Sequence, residues 1–371
     1  MLEIMEQFDT RLFLSDYWQR KPCLIQNWKV PTPCPLDTLL ALTVEHDLPS
    51  RLVEGSLAGE DWQVSHGLTS MQELPSRAKD WTLLVQEVDK VYEPAVKLMQ
   101  DFRFLPDWCL DDIMVSQAVK GGSVGPHRDA YDVFLVQVLG QRCWELAGAD
   151  THDSDDRFEL ALLADWRPEQ QVITSPGDVL YLPAGIAHHG VAQGPCQTWS
   201  VGIRTPSGPE LLMALTEQLA EAGLPADRLG LSGIDRAQPA RITHAQLGSI
   251  RTLMHACLAM DDAQLARFSA GVLTRWRLWP ADSDIEAPDL SDLLARLAAG
   301  DKIKLAPTAR LALLDDAEQP GVMVNGMWID CPESLACALA QSRQLDASWS
   351  DQTEALLSLL ESEALGFWNP E

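Results

Sequence analysis

At 371 residues the chain exceeds one usual domain and holds ample material for a buried core. With 46% apolar residues it is globular rather than disordered. Its formal net charge of -26, from 28 Lys+Arg against 54 Asp+Glu, repels nucleic-acid phosphates and attracts basic partners, although taken alone it is more commonly a device for solubility. The opening stretch MLEIMEQFDTRLF lacks the basic and apolar regions of a secretory signal, and no apolar run approaches the roughly 18 residues of a membrane helix. Cys23, Cys34, Cys109, Cys143, Cys196, Cys257, Cys331 and Cys337 are scattered, with no C-x-x-C pair. That pattern predicts reduced, mostly buried thiols in a cytoplasmic protein, not a zinc ribbon or a disulfide frame.

Up to about Ser207, short helical stretches mix with short strands. DDIMVSQAV (Asp111–Val119), YDVFLVQVLGQRCWEL (Tyr131–Leu146), GDVLYLPAG (Gly177–Gly185) and QTWSVGIRT (Gln197–Thr205) are rich in β-branched and aromatic residues and punctuated by Gly and Pro. The second is long enough for two strands turning at Leu139-Gly140. Strands at this spacing, with no helices between them, predict a barrel or jelly roll. No Gly-rich phosphate loop and no internal repeat occurs. The acidic stretch Ala149–Glu159 lacks the central glycine and ligand spacing of a calcium loop and reads as a solvated loop.

From about Gly208 to Ala270 apolar residues recur at three- and four-residue spacing, which predicts helices that pack as a domain or mediate a dimer. After WRLWP (Trp276–Pro280) come a helix in LSDLLARLAAG, hairpin strands in ARLALLDD and GVMVNGMWID, a helix in ESLACALAQSRQL and a final helix. That order predicts a winged-helix-like module. Its only basic cluster is Lys302, Lys304 and Arg310, so no DNA-reading helix is expected.

Chemistry enters at GPHRDAYDVFLVQ, where His127 and Asp129 are two apart at the start of a strand-forming run. Positions i and i+2 share a strand face, so both can hold one ion. SPGDVLYLPAGIAHHG then supplies His188 and His189, of which the P-x-G-x-x-H spacing selects His188. Two histidines and one carboxylate leave open positions on an octahedral ion, which suits non-haem Fe(II); zinc in an open hydrolytic site is the alternative. An H-x-D pair alone is more commonly a hydrogen-bonded surface pair, and the third ligand behind the turn is what raises the metal reading. Arg142, in the strand running back from the metal strand, favours iron: a buried cation there can grip the far carboxylate of a chelating keto acid.

These motifs resemble the JmjC-type, cupin-fold 2-oxoglutarate oxygenases, and more closely the bacterial ribosomal oxygenases that hydroxylate an arginine of large-subunit ribosomal protein L-sixteen. YWQRKPCLIQNW (Tyr17–Trp28), SRLVEGSLAGEDWQVSHG (Ser50–Gly67), WTLLVQEVDKVYEP (Trp81–Pro94) and FRFLPDWCLDDIMVS (Phe102–Ser116) extend the likeness beyond the metal motif. The resemblance implies an α+β chain in three parts: a double-stranded β-helix catalytic domain at 1–207, a helical dimerisation region at 208–270 and a winged-helix-like domain at 271–371. It also implies Fe(II) held by His127, Asp129 and His188, 2-oxoglutarate held by Arg142, and dioxygen as second co-substrate. Ala118 stands where some relatives carry a serine against 2-oxoglutarate. Asp112 is the candidate acceptor for a substrate guanidinium, with a cap or turn role as its alternative; Ser200 and Tyr131 are further candidates for the substrate pocket. The expected partners are a basic ribosomal protein and a second copy of the chain. A histidyl hydroxylase of the same architecture and a non-catalytic metal-binding cupin scaffold remain the competing readings.

Overall fold

The computed structural model describes the chain apart from residues 1, 60, 69, 71–73, 75–79, 149–153, 156, 222–227, 231–237, 239, 276–288, 316–319 and 366–371. It divides into two compact units, Met1–Thr205 and Pro206–Phe367.

The first unit opens with β1 (Glu3–Met5), α1 (Thr10–Asp16), β2 (Cys23–Ile25) and α2 (Leu36–Glu45). β3 (Ser50–Glu54), β4 (Gln63–His66), β5 (Trp81–Val85), α3 (Glu93–Gln100) and β6 (Leu110–Ala118) follow. Next come β7 (His127–Arg128), β8 (Asp132–Leu139), β9 (Arg142–Ala147), β10 (Ser154–Asp155) and β11 (Leu162–Leu163). β12 (Gln170–Thr174), β13 (Val179–Leu182), β14 (Ala187–Ala192) and β15 (Cys196–Ile203) complete it. One sheet has the order β1-β2-β13-β8-β15-β6-β5-β3-β4, and a smaller one has β12-β9-β14-β7. Neighbours pair antiparallel except β1 with β2, as a jelly roll requires.

β8 shows how the sequence serves both faces. Its run DVFLVQVL is almost wholly buried because alternate side chains enter two different interiors. Phe134 joins an aromatic core with Phe13, Phe102 and Tyr181, at ring separations of 5.5, 4.9 and 4.8 Å. Val133 and Leu135 instead line a cavity that residues of both sheets enclose. The strands expected at 111–119, 131–146, 177–185 and 197–205 form as β6, β8 with β9, β13 and β15, and Gly140 makes the turn in a left-handed conformation at φ 63°. A residue with a side chain at Gly140 would also strike the Pro195 carbonyl.

The second unit begins with α4 (Gly208–Glu221), α5 (His244–Cys257) and α6 (Asp262–Arg275). The long helical zone read from the sequence breaks between α5 and α6, where Asp261 and Gln264 cap each other's backbone amides at 2.8 and 3.1 Å. α6 runs through position 270 to Arg275. α7 (Leu290–Ala298), β16 (Ile303–Lys304), β17 (Leu311–Ala312), β18 (Gly321–Val324), β19 (Met327–Asp330), α8 (Glu333–Ser342), β20 (Gln344–Leu345) and α9 (Thr353–Glu361) share one apolar core. GVMVNGMWID, read as one strand of a hairpin, is itself a hairpin. Asn325 and Gly326 turn it with φ of 48° and 85°, the double left-handed turn that suits Asn-Gly. β17 adds to it as a third strand. WRLWP lies outside the described residues. Among the described residues no helix is long and apolar enough to cross a membrane.

Candidate active site

The cavity between the sheets has a volume of about 500 Å³. Strand alternation decides its lining. β6 contributes Asp112, Met114 and Ser116; β15 contributes Thr198, Ser200 and Gly202; β9 contributes Arg142 and Trp144.

Its metal-binding potential lies in the smaller sheet. His188 on β14 pairs directly with His127 on β7, and their ring centroids are 4.3 Å apart. β7 stops at Arg128, so Asp129 lies just past the strand, held by its carbonyl accepting the Gly185 amide at 2.8 Å. Asp129 reaches to 3.6 Å from His188 Nε2 and 4.0 Å from His127 Nε2. One donor atom from each of the three falls within 4.8 Å of the others, the only such trio of His, Cys, Asp or Glu among the described residues. Each imidazole is set by its other nitrogen: His127 Nδ1 is 3.0 Å from the Gly125 carbonyl, and His188 Nδ1 is 3.0 Å from the Ile186 carbonyl. A carbonyl only accepts, so Nδ1 carries the hydrogen and Nε2 presents its lone pair to the centre. Burial, and then the neighbouring His127, hold the His188 imidazole well below its usual pKa and therefore neutral. Two imidazole Nε2 atoms and a carboxylate are the donor set an Fe(II) site needs, so these residues fit that metal.

His189 points the other way. Its Nδ1 is 3.1 Å from Glu145 Oε2, which also accepts the Trp166 indole N–H at 2.8 Å. It is buried on the opposite face of the sheet, apart from the trio.

Arg142 is 2% exposed, yet among the described residues no carboxylate lies within ion-pair distance of it. Its Nη2 donates to Ser116 Oγ at 3.0 Å, its Nε has no partner, and its Cζ lies 5.5 Å from the Trp144 ring centroid. A buried guanidinium with spare donors is costly unless an anion joins it. Ala118 packs with Ala192 and Cys196; the serine and threonine hydroxyls that line the cavity are those of Ser116, Thr198 and Ser200.

Asp112, Ser200 and Tyr131 line the same cavity. Asp112 accepts the Glu87 amide at 3.1 Å. Burial first, then the charges of Asp111 and Asp89, push its carboxyl up to about 7. Asp111 is paired with Arg204 at 2.5 Å, and the Arg204 guanidinium lies 3.8 Å over the Tyr131 ring. Asp89 is paired with buried Lys90 at 2.9 Å.

Residues 97–211 match the JmjC domain model. A probable ribosomal oxygenase of Haemophilus influenzae is 30% identical over 352 residues, covering 88% of this chain and 83% of that protein. The belonging is decided by that span. The chain is a member of the ribosomal oxygenase family. The ribosomal protein uL16 3-hydroxylase of Escherichia coli is 35% identical over 249 residues, 65% of each chain. The structure of the Escherichia coli ribosomal oxygenase YcfD in complex with cobalt and 2-oxoglutarate superposes with a TM-score of 0.81 at 28% identity, covering 98% of this chain and 99% of that one. The first unit of this ribosomal oxygenase thus has the JmjC, cupin-type fold.

In this oxygenase the structure brings together every site residue expected from the sequence, in one cavity. Ser116, Trp144, Thr198, Gly202 and Arg204 also line it and were not foreseen. All five were within reach of strand alternation. Ser116 is four beyond Asp112, Trp144 two beyond Arg142, and Thr198 and Gly202 flank Ser200 at two. Arg204, four beyond Ser200 in the stretch read as a strand at 197–205, continues the same alternation although β15 itself ends at Ile203.

Proposed function

We propose that this ribosomal oxygenase hydroxylates an arginine side chain of ribosomal protein uL16, converting 2-oxoglutarate and dioxygen to succinate and carbon dioxide. It is a 2-oxoglutarate- and Fe(II)-dependent dioxygenase. His127, Asp129 and His188 would hold the iron and Arg142 the distal carboxylate of 2-oxoglutarate. Bound there, the metal supplies coupling of oxidative keto-acid decarboxylation to hydroxylation of an unactivated C–H bond. The protein's own residues bind and orient. Ser116 fixes the Arg142 guanidinium, and Val133 and Leu135 supply apolar wall.

The observation that carries the arginine is an imbalance of charge. Asp89 is ion-paired with Lys90 and Asp111 with Arg204, whereas Asp112 accepts a backbone amide and forms no ion pair among the described residues. A substrate guanidinium would neutralise it while Ser200 accepts a second N–H in the same plane. The net charge of -26 suits capture of a basic ribosomal protein. Incubation with Fe(II), 2-oxoglutarate and a uL16 fragment should add one oxygen to a single arginine, read by tandem mass spectrometry. Oxygen placed on a histidine of another ribosomal protein would overturn the arginyl reading.

The second unit we assign to a helical dimerisation region at 208–270 and a winged-helix-like domain at 271–371. Supporting the first, no residue of α5 is buried, and Leu212, Met213, Ile242 and Met254 are each more than half exposed. A second copy of the chain would cover them.

A further inference from the structure

Pairing between β6 and β15 breaks at Gly202. Val201 faces Ile113 and Ile203 faces Leu110, so Asp111 and Asp112 together oppose one residue. Two residues against one make a β-bulge on β6, a device that re-aims side chains beside active sites. Consecutive residues of an unbroken strand point to opposite faces. Here Asp111 is bound to Arg204, a cavity-lining residue whose guanidinium lies over the Tyr131 ring, and Asp112 lines the same cavity.

A Cβ placed on Gly202 would stand 3.3 Å from Asp112 Oδ1 and 3.6 Å from Asp111 Cβ. The Gly202 backbone is outside the left-handed region, so the main chain there does not demand glycine. What the missing side chain does is leave Asp112 Oδ1 uncovered. The other oxygen, Oδ2, already accepts the Glu87 amide, an anchor held by Glu87 in a left-handed conformation at φ 63°.

We propose that Gly202 is a positioning residue for substrate selection. By withholding a side chain opposite the Asp111–Asp112 bulge, it keeps Asp112 Oδ1 open to a planar cation that Ser200 reads from the same strand. Arg204 covers one face of Tyr131 and satisfies Asp111, so a single carboxylate oxygen remains for the substrate. A guanidinium fork can reach Asp112 and Ser200 at once with its N–H groups in one plane, whereas an ammonium presents a point charge. The inference rests on the arginyl reading and adds to it the element that makes the acceptor available.

The test uses the full-length protein loaded with Fe(II) for turnover and with Co(II) for binding. Gly202→Ala and Asp112→Asn are each assayed with a uL16 fragment bearing the target arginine, and with the same fragment carrying lysine there. Gly202→Ala should raise KM for the arginine fragment at least about tenfold, the loss of one charge-assisted hydrogen bond, with a much smaller change in kcat. Calorimetry should show 2-oxoglutarate affinity within about twofold of the wild type, since one methyl at 202 reaches Asp112 and not Arg142. The arginine-over-lysine preference should fall by a similar factor. An unchanged KM in Gly202→Ala beside lost capture in Asp112→Asn would overturn the proposal and leave the arginyl reading standing. Unchanged capture in both variants would overturn that reading as well. A Gly202→Ala protein that no longer binds 2-oxoglutarate would assign the glycine to packing, and also overturns the proposal.

Discussion

Arg142 on β9 donates from Nη2 to Ser116 Oγ on β6 at 3.0 Å, so one contact joins the two sheets inside the cavity. Deep burial leaves the guanidinium without a carboxylate among the described residues, which is the arrangement an anionic co-substrate completes. Arg142→Ala should weaken 2-oxoglutarate binding by about 2–5 kcal/mol while the protein keeps its metal. Ser116→Ala should cost less, about 1–2 kcal/mol, because the arginine remains but loses one fixing contact. Calorimetric titration of the Co(II)-loaded variants with 2-oxoglutarate checks both. Wild-type affinity in Arg142→Ala would remove the assignment.

His188 and His189 are adjacent on β14 and separate cleanly in role. His188 Nε2 faces Asp129 at 3.6 Å, and His189 is tied to Glu145 across the sheet. His188→Ala should therefore lose bound iron, and Asp129→Ala should abolish turnover. His189→Ala should retain most of the metal and lose stability instead, by about 1–3 kcal/mol, since Glu145 and Trp166 would be left partly unpaired. Metal content per chain and the thermal midpoint of each variant decide between them. Iron lost from His189→Ala and kept by His188→Ala would mean that β14 is shifted by one residue.

The strands were legible because β-branched runs are broken by Gly and Pro, and the metal trio because His127 and His188 pair across β7 and β14 with Asp129 two residues beyond His127. Two things were hidden. A bulge changes which face a residue takes, and nothing in LDDIM marks the point where Asp111 and Asp112 together come to oppose the single residue Gly202. Arg204 pairs with a residue more than ninety positions earlier, a contact that only the closed sheet creates. By contrast, the break between α5 and α6 was readable: Asp261 with Gln264, like Thr243 with Gln246, is a capping box in plain sequence. The apolar period continues through that break and masks it.

α5 exposes Leu247 and Met254 along a helix with no buried residue, so the isolated chain leaves that face in water. Sedimentation at micromolar concentration should report a dimer. Met254→Asp together with Leu247→Asp should shift it toward monomer without unfolding the JmjC domain, as followed by retained 2-oxoglutarate binding. A wild-type monomer with full activity would exclude the dimer.

The carboxyl of Asp112 gives the most discriminating pH dependence. Burial and the neighbouring Asp111 and Asp89 raise it from its ordinary acidic range to about 7. Capture of a guanidinium needs the carboxylate, so KM for the arginine fragment should fall as pH rises through about 7 and level off above it. Stability runs in the opposite sense. A carboxyl whose folded pKa is raised stabilises the fold fully below its unfolded pKa, and that contribution is lost as pH rises through the folded value. Asp112→Asn is neutral at every pH. It should therefore unfold at a higher temperature than the wild type at pH 8, and the advantage should shrink toward pH 4. The same variant should lose the pH dependence of substrate KM, with capture weak throughout. A pH-independent wild-type KM between pH 6 and 8, or an Asn variant no more stable than wild type at pH 8, would show that Asp112 is already charged and satisfied before substrate arrives.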